Sequence, residues 1–465
     1  MRDLTQFVEQ LQTRKISAKE TVDDYLRQIE ALDPMLNAYL FVPEDAVRRS
    51  AVEADERLGR GAGRPWEGVP LAVKDLFDTA GVATTAASRV IAERVPAEDA
   101  EVWRRLRTNG VILLGKLNMH EFAYGTTSEN PHYGAVHNPW DVARIAGGSS
   151  GGSGAAVATD LTPASIGTDT GGSIRIPAAL TGVYGLKPSY GLVSLRGVIP
   201  LAFSLDHVGP LARSVRDIAW MLEVMAGYDP LDPHSVKFKQ SDYRAAVGQS
   251  IKGMTVGYEE DFFQRDIDPE VAERVREALR ALEEAGVRLQ RIEEPLLQEA
   301  PQIHSTVIAT EAFALHEKWL ADPAAPYGED VRARLVTGAS IRGADYANAL
   351  LARRRLTRAI SRWFEAVDLF VAPVVGFPAT PIGDRIMHIA GQAYEIRPRL
   401  NRLVSPFNLS GLPAMSIPCG LSRQGLPLAV QMVAASGGEA TLLQAAAVLE
   451  RAFPFQAPPL FAHRS

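Results

Sequence analysis

Residues 147–175 read GGSSGGSGAAVATDLTPASIGTDTGGSIR and are unusually rich in glycine and serine. From Gly147 to Gly191, 11 of 45 residues are glycine, against 38 of 465 in the whole chain. Glycine lets backbone N–H groups approach a ligand closely, so such a block can build a pocket for an anion or an oxyanion. A flexible linker is the other interpretation, but residues 155–158 continue directly as a helix and apolar segments follow. We therefore expect a structured functional loop.

Three catalytic interpretations of this block can be compared. A phosphate-binding Walker A loop needs a lysine after its glycines, and no lysine lies between Lys116 and Lys187. A dinucleotide-binding G-x-G-x-x-G sequence does not occur in the block. The G-x-S-x-G pattern of a nucleophile elbow fits around Ser149 and again around Ser150, but residues 141–146 are a poor match to the strand that must precede it. The elbow stays a minor alternative.

The segments around the block predict an α/β fold. Residues 69–73 are an apolar run typical of a buried strand, and this run ends at Lys74. A strand at 254–258, a helix at 271–282 and a strand at 287–292 form a βαβ pattern, which makes at least part of the sheet parallel. The chain contains no fixed-period repeat and no long Gly/Ser or Pro linker. We therefore predict one large α/β body.

Within this body the sequence predicts four segments. The first is an N-terminal helical layer at residues 1–60, where Ser17 and Glu20 form a capping box. The others are the core around the glycine block at 61–225, a variable helical and βα region at 226–345, and a C-terminal part of the same core at 346–465.

Composition and charge disfavour several classes of protein. With 49 Lys and Arg against 55 Asp and Glu the net charge is −6, so no global basic field exists for nucleic acid or an anionic membrane. No run of roughly 18 apolar residues predicts a membrane span, and no signal peptide is expected at the N-terminus. The single cysteine, Cys419, cannot form an internal disulfide. We expect a cytoplasmic protein with no nucleic-acid and no membrane partner.

Several separated motifs resemble the amidase signature family. The segment from Gly147 to Lys187 is similar to the defining signature of that family, and the flanking motifs occur in the family's order. Those motifs are VPLAVKD at 69–75, GKLNM at 115–119, NPWD at 138–141, PFNLSGLPA at 406–414 and GLP at 425–427. The resemblance covers about residues 60–220 strongly and 350–453 moderately. It implies a single large α/β domain whose mixed central sheet is covered by helices on both faces.

The resemblance also implies a Ser-cisSer-Lys triad. The family's lysine falls on Lys74, its cis-serine on Ser149 and its nucleophile on Ser173. Neutral Lys74 would take a proton through Ser149 from Ser173, which then attacks a carbonyl carbon. The residues agree with this chemistry, because a lysine that ends an apolar run is buried, and burial lowers its pKa. The plainer alternative is a lysine whose stem packs on the core while its ammonium reaches water.

Further site residues follow from the nucleophile loop and from the resemblance. The backbone N–H groups of Thr170, Gly171 and Gly172, next to that of Ser173, are expected to stabilise the oxyanion. Asp169 and Arg175 flank the loop and are expected to pair beneath it as support residues. The stretch that lines the family's substrate pocket falls on Tyr124, Gly125 and Thr126. No metal ion and no cofactor are expected.

The predicted function is hydrolysis of the amide C–N bond of small or aryl substrates through a serine acyl-enzyme. Carbamate (urethane) and ester cleavage stay open, because family members differ in substrate. The alternative is the glutaminase (A) subunit of a tRNA-dependent amidotransferase, although residues 384–403 do not resemble the tail of that subunit. A binding protein on an inactive scaffold is disfavoured, since all three triad positions are intact. The expected partner is a small-molecule amide, and a homodimer is the assembly considered.

Overall fold

A computed structural model describes residues 3–239 and 241–460, so the last five residues of the predicted segment 346–465 lie outside the described residues. The described ranges form 17 strands and 15 α-helices. No helix in these ranges is long and apolar enough to cross a membrane.

The strands are β1 (Tyr39–Phe41), β2 (Pro70–Lys74), β3 (Ile112–Leu117), β4 (Glu129–Asn130), β5 (Gly134–Ala135), β6 (His137–Asn138), β7 (Asp141–Ile145), β8 (Ala164–Thr168), β9 (Tyr184–Lys187), β10 (Val208–Ala212), β11 (Thr255–Tyr258), β12 (Arg288–Arg291), β13 (Leu369–Pro373), β14 (Ile386–Ile389), β15 (Gln392–Glu395), β16 (Ala414–Leu421) and β17 (Pro427–Ala434). The α-helices are α1 (Leu4–Gln12), α2 (Ala18–Leu36), α3 (Glu44–Gly59), α4 (Glu101–Thr108), α5 (Gly151–Ala158), α6 (Arg175–Thr181), α7 (Val215–Met225), α8 (Tyr243–Ala246), α9 (Pro269–Glu284), α10 (Ala300–Leu320), α11 (Glu329–Thr337), α12 (Gly343–Trp363), α13 (Ile396–Arg402), α14 (Ser405–Leu409) and α15 (Glu439–Ala452). Short 3-10 helices lie at Arg89–Ile91, Glu121–Ala123, Pro295–Glu299 and Gly338–Ser340.

Eleven strands form one central sheet in the order β1-β3-β2-β8-β10-β9-β16-β17-β13-β11-β12. The pairs β3/β2, β2/β8, β13/β11 and β11/β12 are parallel, and the other neighbours are antiparallel. The predicted βαβ unit is present, because α9 connects β11 to the parallel strand β12. The prediction of a mixed sheet within one α/β domain is confirmed.

Strand β13 shows that both faces of the sheet are buried. Leu369 and Val371 belong to one hydrophobic cluster, whereas Phe370 and Ala372 belong to another. Successive side chains of a strand point to opposite faces of its sheet, so the two clusters lie on opposite sides. The first cluster includes residues of α2, α9 and α15, and the second includes residues of α10 and α12. Helices therefore cover both faces, as predicted.

The N-terminal layer is helical with one exception. Ser17 caps α2 by accepting the N–H of Glu20, which is one of the two hydrogen bonds of the predicted capping box. The exception is β1, which pairs with β3 at one edge of the sheet. A strand of three residues is too short to show a two-residue period, so the sequence analysis did not find it. The structure also forms β7 in the segment that was a poor match to a strand.

The parallel pairing of β2 and β8 brings the carboxyl ends of two strands of the predicted core together. Ala72 of β2 pairs with Ser165 of β8, and Val73 pairs with Ile166. Parallel strands end at the same edge of a sheet, so Lys74 at the end of β2 meets residue 168 at the end of β8. The glycine block forms α5 between these strands, starting at residue 151 rather than at the predicted 155.

We expect Gly209→Ala to destabilise the fold. Gly209 lies in β10, and a Cβ atom added there would be 1.9 Å from the backbone oxygen of Leu186. Because backbone atoms of a central sheet cannot move away cheaply, the free energy of unfolding should fall by about 1–3 kcal/mol. Thermal or urea unfolding measures the loss. Gly343→Ala is the matched control, since a Cβ there has no neighbour within 4 Å, and an equal loss in both variants would contradict the steric argument.

Candidate active site

Lys74 is wholly buried and contacts two hydroxyl groups. Its Nζ lies 2.7 Å from Ser149 Oγ and 2.7 Å from Thr168 Oγ1, and no salt bridge to it exists within the described ranges. Burial lowers the pKa of Lys74 to about 7, although the negative charges of Asp206 and Asp169 oppose the shift. Near neutral pH a large share of this amine is therefore uncharged and able to accept a proton.

Ser149 follows a cis peptide bond, Gly148–Ser149, as the family resemblance implies. Its carbonyl oxygen accepts the N–H of His120 at 3.1 Å and the hydroxyl of Ser128 at 3.3 Å. These bonds hold the backbone of Ser149 while its hydroxyl lies against the amine of Lys74.

Ser173 borders a cavity of about 320 Å³. Ser173 lines the cavity, whereas Lys74 and Ser149 do not. Its carbonyl oxygen accepts the N–H of Ser150 at 3.3 Å, which ties the nucleophile loop to the loop of the cis-serine. The three residues of the predicted triad are thus brought together at one end of the sheet, with Ser173 on the side that a ligand can reach.

The carboxylate of Asp169 organises the backbone of the nucleophile loop. Its Oδ1 accepts the N–H of Gly172 at 2.8 Å, and Gly172 has φ +109°, a conformation that favours glycine. The N–H of Gly172 therefore points at Asp169, and this geometry removes it from the expected oxyanion donors. The N–H groups of Thr170, Gly171 and Ser173 have no hydrogen-bond partner in the described part of the chain.

Arg175 lies beneath the loop and uses all five of its N–H donors. Its guanidinium makes two bonds of 3.1 Å to the carboxylate of Asp169, as expected for a support pair. The other bonds go to the side chains of Gln431 and Asn408 and to the carbonyl oxygen of Val404. Burial alone would raise the pKa of Asp169, but the charge of Arg175 and the hydrogen bonds from Arg175 and Asn408, among other groups, together hold that pKa well below its usual range. Asp169 is therefore ionised and fixed in place.

The side chains that hold the carbonyl groups of the nucleophile loop were not predicted from the sequence. His304 Nε2 lies 3.1 Å from the carbonyl oxygen of Thr170, and Asn401 Nδ2 donates to that of Gly171 at 2.5 Å. These partners lie 134 and 230 positions away in the chain, so no local pattern announces them. Thr168, the second partner of Lys74, was also missed, although it stands at the end of a strand and next to Asp169.

The cavity wall contains the three residues expected to bind substrate, Tyr124, Gly125 and Thr126. A Cβ on Gly125 would lie 2.2 Å from His120 Nε2, so only glycine fits between that ring and the cavity. Leu201 and Ile308 add apolar surface to the wall. Arginines of α11 and α13 also line the cavity, and the sequence analysis did not identify them.

Two solved structures have the same fold. One is a chain from a study of a vestigial protein complex that reveals the evolutionary origins of an s-triazine catabolic enzyme. It superimposes with a TM-score of 0.94 and is 34% identical, and the match covers 98% of this chain and 100% of that chain. A bacterial aryl acylamidase of the amidase signature family superimposes with a TM-score of 0.91 at 27% identity, covering 100% of this chain and 99% of that chain.

A curated relative corrects the expectation about partners. The A subunit of the glutamyl-tRNA(Gln) amidotransferase of Caldanaerobacter subterraneus subsp. tengcongensis is 35% identical over 480 residues, which cover 97% of this chain and 96% of the relative. The relative is by name one component of an enzyme that acts on a tRNA. The expectation that the protein acts only on a small molecule and has no nucleic-acid partner is therefore wrong. A net charge summed over a chain says nothing about local patches, or about nucleic acid held by another subunit.

The family model named Amidase matches residues 20–443, which is most of the chain. The match agrees with the order of the motifs, the mixed sheet, the contact between Lys74 and Ser149, and the position of Ser173 on the cavity wall. The chain belongs to the amidase family and carries its amidase signature.

Proposed function

We propose that this site cleaves an amide C–N bond through an acyl-enzyme on Ser173. The observation that supports the proposal most strongly is the buried amine of Lys74, which contacts the hydroxyls of Ser149 and Thr168. Hydroxyl groups both donate and accept protons, so they can relay a proton to an uncharged amine. Thr168 is then a positioning residue, which holds the amine against Ser149.

The reaction follows from these positions. Neutral Lys74 takes the proton of Ser149 as Ser149 takes that of Ser173, and Ser173 Oγ attacks the carbonyl carbon. The unpartnered N–H groups of the loop donate to the oxyanion; a donor of this type often contributes about 3–4 kcal/mol. When the C–N bond breaks, the proton returns through Ser149 to the leaving nitrogen. Water then attacks the acyl-enzyme and releases the acid.

The first candidate for the physiological role is the amide-cleaving component of an amidotransferase. In this role the chain releases ammonia from a primary amide, and another component of the enzyme uses the ammonia on tRNA-bound glutamate. The relative that supports this candidate is 35% identical and matches nearly the whole of both chains. We place the role in the cytoplasm, in keeping with the single, buried Cys419.

The second candidate is an independent hydrolase of aryl amides. It is supported by the similarity to the aryl acylamidase and by the apolar side chains of Leu201 and Ile308 on the cavity wall. The same acyl-enzyme chemistry would extend to carbamates and esters, because these also present a carbonyl carbon with a leaving group.

We expect Ser173→Ala to lower kcat at least about 10³-fold on any amide that the protein cleaves, because the nucleophile is lost. Release of ammonia or aniline measures the effect. Ser153→Ala is a matched control in the same glycine block, since Ser153 Oγ is buried without a hydrogen-bond partner among the described residues. Turnover that persists in Ser173→Ala would refute the assignment of the nucleophile.

The value of kcat/KM should rise with pH through about 7. Below that pH Lys74 is protonated and cannot take the proton of Ser149, whereas above it the amine is neutral. A profile of kcat/KM from pH 5 to pH 9 measures the inflection. The residual activity of Lys74→Ala should lack this inflection, and a wild-type profile that is flat between pH 6 and pH 8 would contradict the proposed base.

The two candidate roles differ in the leaving group. For the amidotransferase role we expect ammonia release from a primary amide to exceed aniline release from a nitroacetanilide by about tenfold or more in kcat/KM. Assays of the purified chain with both substrates give the comparison. The reverse order would favour the independent aryl amidase.

A further inference from the structure

Of the three arginines that line the same cavity as Ser173, two share one carboxylate. They are Arg334 of α11 and Arg397 of α13. Both donate through Nη2 to one oxygen atom, Asp330 Oδ2, at 2.8 and 3.0 Å. One carboxylate therefore faces two guanidinium groups, and among the described residues one positive charge at the cavity wall is left without a counter-ion.

Both guanidinium groups also have unused donors. The Nε atoms of Arg334 and Arg397 are buried and have no hydrogen-bond partner within the described residues. A buried donor without an acceptor costs about 1–3 kcal/mol, so a ligand that supplies an acceptor gains this energy on binding. Burial and, to a smaller extent, the neighbouring charge of Arg397 lower the pKa of Arg334 to about 10.

The remaining charge on the cavity wall is also positive. Arg402 lines the cavity, and its Nη1 donates to the carbonyl oxygen of Phe262 rather than to a carboxylate. His304 is neutral, because burial lowers its pKa to about 4. Among the described residues that line the cavity there is no Asp and no Glu. A ligand with an ammonium group would meet like charges and find no counter-ion.

We propose that the substrate is a primary amide whose acyl part ends in a carboxylate, bound by Arg334 and Arg397, and that it carries no ammonium group. The planar guanidinium matches a carboxylate with paired N–H donors. The monoamide of glutaric acid is the simplest compound of this class. This inference rests on the proposed amide cleavage at Ser173, and it adds the part of the substrate that is recognised away from the bond that breaks.

Three primary amides with the same five-carbon chain test the inference on the wild-type protein. They are glutaric acid monoamide, pentanamide, which has a methyl group in place of the carboxylate, and glutamine, which adds an amino group. We expect kcat/KM for the monoamide to exceed that for each of the others by about tenfold or more. Equal values for the monoamide and pentanamide, or a preference for glutamine, would overturn the inference.

The variant Arg397→Gln tests whether this arginine binds the carboxylate of the substrate. It should lower kcat/KM for the monoamide about 10- to 100-fold and leave that for pentanamide within about threefold. Arg385→Gln is the control, because Arg385 is 57% exposed, pairs with Glu129 and does not line this cavity. An equal loss on both amides in Arg397→Gln would assign the arginine a purely structural role and would overturn the inference.

A binding experiment tests the carboxylate subsite independently of the proposed reaction. If no amide is cleaved, the proposed function fails, and binding of the glutarate dianion to Ser173→Ala then decides the subsite alone. We expect calorimetry to detect glutarate binding that weakens about tenfold or more when Arg397→Gln is added to this variant. Binding that is absent, or that does not change with Arg397→Gln, would overturn the subsite.

Discussion

The buried ion pair between Asp169 and Arg175 is the constraint on which the candidate site depends. Both side chains are fully buried, and such a pair is tolerated only when the remaining donors and acceptors are also satisfied. Here Asn408 and Gln431, from the C-terminal part of the chain, complete the set. The pair thereby joins two distant parts of the chain and fixes the backbone of the loop that carries Ser173.

Three lysines are wholly or almost wholly buried, and their partners differ in chemistry. Lys187 donates to two carbonyl oxygens. Lys116 donates to a carbonyl oxygen and to the hydroxyls of Thr79 and Thr84, and it also lies 3.4 Å from a carboxylate oxygen of Asp75, whose charge favours the ammonium form. A carbonyl oxygen only accepts hydrogen bonds, so it cannot pass on a proton. Lys74 contacts the hydroxyls of Ser149 and Thr168, which can pass on a proton, and no carboxylate pairs with it in the described part of the chain. The partners, more than the burial, single out Lys74 as the proposed base.

Local charge and global charge lead to different conclusions in this protein. The chain has a net charge of −6, yet the wall of its cavity has three arginines and, among the residues described, no acid. The expectation about nucleic acid failed for the same reason, because a sum over 465 residues does not locate any charge. Where the electrostatic field guides binding, the positions of the charged residues matter and the net charge of the chain does not.

The sequence by itself determined the fold class and, with the family resemblance, indicated the candidate triad and its support pair. Their signals are local: an apolar run that ends at Lys74, a glycine block around Ser149, and Ser173 between Asp169 and Arg175. Tertiary structure alone decided the partners of the loop and the charge of the cavity. His304, Asn401 and the cavity arginines lie more than 100 positions from the nucleophile and occur in ordinary helices. Folding brings such residues together through long-range packing, and no periodicity or motif in one chain encodes that proximity.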